Sequence, residues 1–136
     1  MIRCIRLWSG RDKVSHFEEG VIDLHAGPKG DALSGRFAIG AASFQETDRD
    51  PKLGWHTDAD RQLVVTLSGT LRFTTADGDF TMRPGDVLFT EDTSGAGHDW
   101  VLKGDQPWRR LYLVLDRDTE VPFRRTTAPF GSPPLG

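Results

Sequence analysis

The chain has 136 residues, a size that supports one hydrophobic core and not two, so a single domain is expected. A formal net charge of −3 and a pI near 5.8 leave no broad basic field, which removes the electrostatic basis for nucleic-acid binding; the pairs Arg109-Arg110 and Arg124-Arg125 are too local to supply one. No apolar run approaches the roughly 20 residues that span a bilayer, and Met1 to Trp8 lacks an uninterrupted signal-peptide core, so no membrane association is expected and a cytoplasmic location is.

Taken in order, Ile2 to Trp8 alternates apolar residues with Arg well enough for a strand, which Ser9-Gly10 ends. The lone cysteine, Cys4, lies in this run; it excludes an internal disulfide or a Cys-based metal cluster and reads as a small packing residue. Asp12 to Glu19 is polar, suited to a loop or one short turn of helix. Val21 to His25 is a second short strand, followed by the turn cluster Ala26 to Asp31. Arg36 to Phe44, apolar with small residues, is expected to be a buried strand, and the charged segment Gln45 to Leu53 a loop. Leu63 to Ser68 is rich in β-branched residues and is closed by Gly69. Leu71 to Thr75 and Asp79 to Met82 flank Asp77-Gly78, a hairpin signal. Val87 to Thr90, His98 to Leu102 and Trp108 to Leu115 complete the set. On the last of these, Leu111, Leu113 and Leu115 are expected in the core, which sets Arg110 and Tyr112 outside; the opposite register reverses this. His16 and His25 have no partners at diagnostic spacing and are expected in packing or surface roles. Many short strands punctuated by Gly and Pro, without a helical period, predict an all-β sandwich or barrel. The stretch 119–136 is too rich in Pro and Gly for a core strand and is expected to be a tail or an arm that orders only against a neighbour, leaving 1–118 as the domain.

One stretch carries chemistry. In Gly54 to Gly69, His56 and Asp58 stand two apart, and Gln62 keeps their parity, so in an extended chain all three point one way. A separate strand can bring His98, from Gly95-Ala-Gly-His98, opposite them. These residues resemble the cupins. The family's first motif, a glycine, His-x-His, then Glu and Gly at fixed spacing, is matched from His56 onward by His56, Asp58, Gln62 and Gly69, with Asp58 where the second His stands and Gln62 in place of Glu. The second motif, Pro-x-Gly-x-x-His-x-x-x-Asn, is matched by Thr93 to Leu102, with Thr93 and Leu102 as departures, and Pro84-Gly85-Asp86 resembles the turn before it. The resemblance covers roughly residues 50 to 115 and implies a double-stranded β-helix, the jelly-roll barrel. A weaker likeness to the 2-oxoglutarate oxygenases is countered by Gln62, Gly69 and Gly95-x-x-His98, which fit the small cupins better.

That resemblance implies a mononuclear divalent metal, Fe(II), Mn, Ni or Zn, held by His56, Asp58, Gln62 and His98. Two imidazoles and a carboxylate are the ligand set of non-haem Fe(II) oxygenases, and the glutamine oxygen is a weaker fourth donor. With a metal, the chain is expected to be an oxygenase or a lyase/isomerase acting on a small organic molecule, with Asp58 as ligand or catalytic base. Without one, the four residues are polar lining of a binding or sensing pocket. Trp100, Val64 and Thr66 are expected to line it: Trp100 shares the parity of His98, and Val64 and Thr66 share that of Gln62. Leu63, Val65 and Leu67 occupy the other face of their strand, so a homodimer is expected to cover it.

Overall fold

A computed structural model describes residues 1–126. Twelve strands and one 3-10 turn, Pro28–Gly30, make up its regular structure. Strands β1 (Arg3–Ser9), β2 (Ser15–Ile22), β5 (Ala41–Thr47), β6 (Gln62–Ser68), β9 (Val87–Glu91), β11 (Trp108–Val114) and β12 (Phe123–Arg125) build a seven-stranded sheet in the order β12-β2-β1-β9-β6-β11-β5. Strands β7 (Thr70–Thr75), β8 (Gly78–Met82) and β10 (Asp99–Lys103) build a three-stranded sheet in the order β10-β7-β8, and β3 (His25–Ala26) with β4 (Ala32–Leu33) is a small ribbon. All the pairings are antiparallel except β1 with β9. The architecture is the expected all-β sandwich of jelly-roll type. Among the described residues no helix is long and apolar enough to cross a membrane.

The main core lies between the sheets, where alternate residues of each strand meet. Ile5, Leu7, Phe17, Val64, Leu88 and Trp108 of the large sheet pack on Leu71, Phe73, Phe80, Met82 and Trp100 of the small one. Phe73 stacks on Phe80 at 5.1 Å, and Trp100 meets Trp108 edge-on at 4.7 Å. A second cluster covers the outer face of the large sheet. There Cys4, Leu63, Val87, Phe89 and Leu115 are roofed by Phe37, Val121 and Phe123. Burial pushes the Cys4 thiol up to about 12, so it stays protonated and serves as packing.

Four expectations change. Ser15–Ile22, expected in part to be a loop, is a full strand, because its polar residues find partners across elements: His16 lies between Asp12 and Asp77 at 2.9 Å each, and Glu18 pairs with Arg6. The expected buried strand over 36–44 is instead β5, running from Ala41 into the supposed loop; as the edge strand it is exposed over most of its length. On β11 the register is the reverse of the one preferred: Trp108, Arg110 and Tyr112 face inward, while Leu113 and Leu115 join the outer cluster. Beyond residue 118, Phe123–Arg125 pairs with β2 and Phe123 packs 6.1 Å from Phe89; the remainder of the expected tail, 127–136, lies outside the described residues.

Candidate metal centre

The site stands at the open end of the sandwich, where the loop entering β6 meets the loop between β9 and β10. Backbone pairing joins them. The His56 N–H donates to the His98 carbonyl at 2.8 Å, the His98 N–H donates back at 2.9 Å, and the Asp58 N–H donates to the Asp92 carbonyl at 2.9 Å. Glycine makes this approach feasible. Gly97 has φ +78, and a Cβ there would stand 2.2 Å from the His56 carbonyl oxygen. Gly95, at φ +76, lies just as tightly on the Lys13 carbonyl, which accepts the Ala96 N–H at 3.0 Å and so anchors the loop to the turn after β1.

These contacts gather His56, Asp58 and His98, whose nearest donor atoms all lie within 4.8 Å of one another. Each ring is oriented from behind. His56 Nδ1 donates to the Gly54 carbonyl at 2.9 Å, an acceptor that fixes the proton on Nδ1 and leaves Nε2 with its lone pair. His98 Nδ1 bonds the Asp92 carboxylate at 2.7 Å, which turns its Nε2 to the same space. Asp92 is fully buried, and its other oxygen accepts the Ser9 hydroxyl at 2.6 Å. A carboxylate behind an imidazole is the arrangement that holds metal-binding histidines in one tautomer. Asp58 accepts the Thr90 hydroxyl through Oδ2 and presents Oδ1 toward His98 Nε2 at 3.9 Å. Burial raises the Asp58 carboxyl above its ordinary 3.8, against the opposing influence of His98, Thr90 and His56.

The donor set fits a divalent ion. Donors bound at about 2.1 Å on opposite sides of an ion stand about 4.2 Å apart, so small side-chain shifts bring the present separations into range. Behind the triad is a cavity of about 150 Å³ whose lining includes Gln62, Val64, Thr90, Trp100, Trp108 and Arg110. Gln62 sits in register with Thr90, on the face shared with Val64. Thr66 is not among the lining residues: it is buried beneath Trp108, whose indole N–H points to its hydroxyl at 3.3 Å. Trp55, next to His56, is about half exposed to solvent.

Sequence reasoning missed Asp92, Ser9 and Thr90, and it preferred the register that sets Arg110 and Tyr112 outside. Thr90 had a signal available, since its strand alternates Leu88 and Thr90 on one face. Asp92 and Ser9 had none, because their roles depend on the parallel pairing of β1 with β9.

No protein-family model matches the chain, and no curated protein does. Among solved structures, it is similar to acireductone dioxygenase from Bacillus anthracis with a cadmium ion in its active center, at 18% identity and a TM-score of 0.43, over 60% of this chain and 54% of that one. The chain therefore spans about half the length of that enzyme.

Proposed function

We propose that the chain is a small-molecule-binding cupin in which His56, Asp58 and His98 hold a mononuclear divalent metal, with Gln62 as a weaker fourth oxygen donor. It acts as a metal-dependent oxygenase, or else as a lyase or isomerase, on a small organic substrate. The observation that carries this reading is the approach of His98 Nε2 and Asp58 Oδ1 at 3.9 Å. With the His98 proton on Nδ1 toward Asp92, two lone-pair atoms face each other beyond hydrogen-bond distance, beside the outward Nε2 of His56. A cation satisfies all three. Bound there, a divalent ion supplies Lewis acidity and, as Fe(II), the capacity to activate dioxygen.

The chain's own groups define the rest. Asp92 and Gly54 hold the imidazoles in one tautomer, and Thr90 fixes the Asp58 carboxylate, favouring Asp58 as ligand over Asp58 as mobile base. Val64, Leu88, Trp100 and Trp108 exclude water from the space behind them. A homodimer belongs to this reading. Phe44, 78% exposed, and Leu67 stand together on the outer face of the sheet edge, and a second copy covers them. Light scattering that gives the 15.1 kDa monomer mass at micromolar concentration counts against the dimer.

Elemental analysis after anaerobic reconstitution with Fe(II), Mn(II), Ni(II) and Zn(II) tests the metal site. One ion per chain is expected in the wild type, none in His56→Ala or His98→Ala, and partial occupancy in Gln62→Ala. A wild-type protein that retains no ion from the series is a binding module, and the enzyme reading is then dropped.

A further inference from the structure

Arg110 is only 3% exposed and lines the cavity, yet no acidic side chain among the described residues forms an ion pair with it. Glu46, the acid across the neighbouring strand, is taken by Arg109 on the opposite face. A guanidinium carries five N–H donors. Nε donates to the Tyr112 hydroxyl at 2.9 Å, and Nη1 donates to the Thr47 hydroxyl at 2.9 Å and the Trp108 carbonyl at 3.1 Å. That accounts for three. Nη2 has no acceptor among the described residues, and it is not sealed off: no buried side-chain nitrogen there lacks a partner, so Nη2 keeps access to open space. The three acceptors are neutral, and the ring faces of Trp108, 3.7 Å from the guanidinium carbon, and Tyr112, at 5.4 Å, hold the plane of the fork without cancelling its charge.

A buried cation without a counter-charge is costly, and side chains arranged to hold one rigid are retained where something else supplies the charge. We propose that Arg110 is the anion-recognition residue of this cavity and that the ligand is a small organic carboxylate, bound through Nη2. The inference rests on the reading above in taking this cavity as the ligand site. About 150 Å³ is the volume that admits benzene, so the ligand has about six non-hydrogen atoms. Val64, Leu88 and Trp100 enclose its carbon skeleton. A cavity this small places any occupant against both the Arg110 fork and the histidine end. The unneutralised charge and the free Nη2 donors favour a carboxylate oxygen over a neutral amide, which carries no charge and brings an N–H donor toward donors.

Isothermal titration of the full-length protein, first with chelator and then with saturating Mn(II), uses acetate, pyruvate, malonate and benzoate, each against its neutral amide. At least one carboxylate is expected to bind the metal-free wild type tenfold or more tighter than its amide. Arg110→Met loses that preference, and Arg110→Lys keeps part of it. In the wild type, the Arg110 Nε–H resonance shifts on addition of the preferred carboxylate, a readout that stands even where Arg110→Met does not fold. Failure of every carboxylate to bind, equal binding of the amides, an unmoved Arg110 resonance, or an unchanged preference in Arg110→Met overturns the assignment. The metal-free titration reads Arg110, and the metal content reads His56, Asp58 and His98. Carboxylate selectivity without metal uptake therefore supports Arg110 while sinking the metal reading, and metal uptake without selectivity does the reverse.

Discussion

Replacing Gly97 by Ala is expected to open the bridge that assembles the site while leaving the sandwich folded. Two costs are separable. A side chain at φ +78 costs about 1–2 kcal/mol in backbone strain. The added Cβ would also lie 2.2 Å from the His56 carbonyl oxygen and 2.5 Å from its carbon, both backbone atoms, so the two reciprocal hydrogen bonds between His56 and His98 must be given up at about 1 kcal/mol each. Gly104 is the control: its φ is +74, and a Cβ there meets nothing within 4 Å, so Gly104→Ala carries the strain alone. The difference of about 2 kcal/mol corresponds to a melting temperature about 6 °C lower for Gly97→Ala than for Gly104→Ala in a domain of this size. By amide hydrogen exchange, protection of the His56 and His98 N–H groups should fall about 30-fold in Gly97→Ala alone. Equal melting temperatures for the two variants, with both amides still protected, would refute the close approach as the reason for glycine at 97.

Asp92→Asn should reduce metal affinity about 10- to 100-fold with Asp58 and both histidines intact, since the ring behind which Asp92 stands loses its fixed orientation; competition with a chromogenic chelator measures it. For His16, burial alone lowers the pKa, but the carboxylates of Asp12 and Asp77 outweigh it and hold the folded value above 6.5. The clamp therefore stabilises the fold fully below pH 6.5 and is lost as pH rises through that raised value. The melting-temperature gap between wild type and His16→Asn should shrink on going from pH 6 to about pH 9, and a gap that widens contradicts the assignment. Ending the chain after Asp118 removes Val121 and Phe123 from the outer cluster and should cost about 2–4 kcal/mol relative to ending it after Thr126, read by urea unfolding.

The parts of this molecule legible in the sequence are those whose signals are local. The strand over 63–68, the Asp77-Gly78 hairpin and the two-residue spacing that marked His56 and Asp58 depend on neighbours within a few residues, although the chain bends at residues 59–60 before β6 begins at Gln62. Trp100 and Val64 followed from the same alternation. The failures share a different physics. Ser15 to Glu19 looked like a loop because its polarity is satisfied by Arg6, Asp12 and Asp77, of which Arg6 comes from β1 and Asp77 from the distant turn between β7 and β8. The leucines of β11 look like a core stripe because they are one, but the second core lies outside the sheet, roofed by Phe37 and Val121, which no alternation within β11 reveals. Thr66 has the parity of the cavity but sits past the point where Trp108 closes it. Parity assigns a face, whereas depth along that face is set by the bulk of side chains on a neighbouring strand.

The sheet also constrains when the protein can acquire its structure. Cys4 lies in register with Val87 and Trp8 with Glu91, so β1, an interior strand of the large sheet, is paired by a segment made more than eighty residues later. On its other side β2 is completed only when Arg124 reaches Val21. During synthesis the hairpin of β1 and β2 must therefore wait, with Ile5, Leu7 and Phe17 in water and both hydrogen-bonding edges unoccupied. Closure of such distant pairs sets folding in the range of milliseconds to seconds and leaves the emerging N-terminal hairpin as the segment most in need of a holding chaperone.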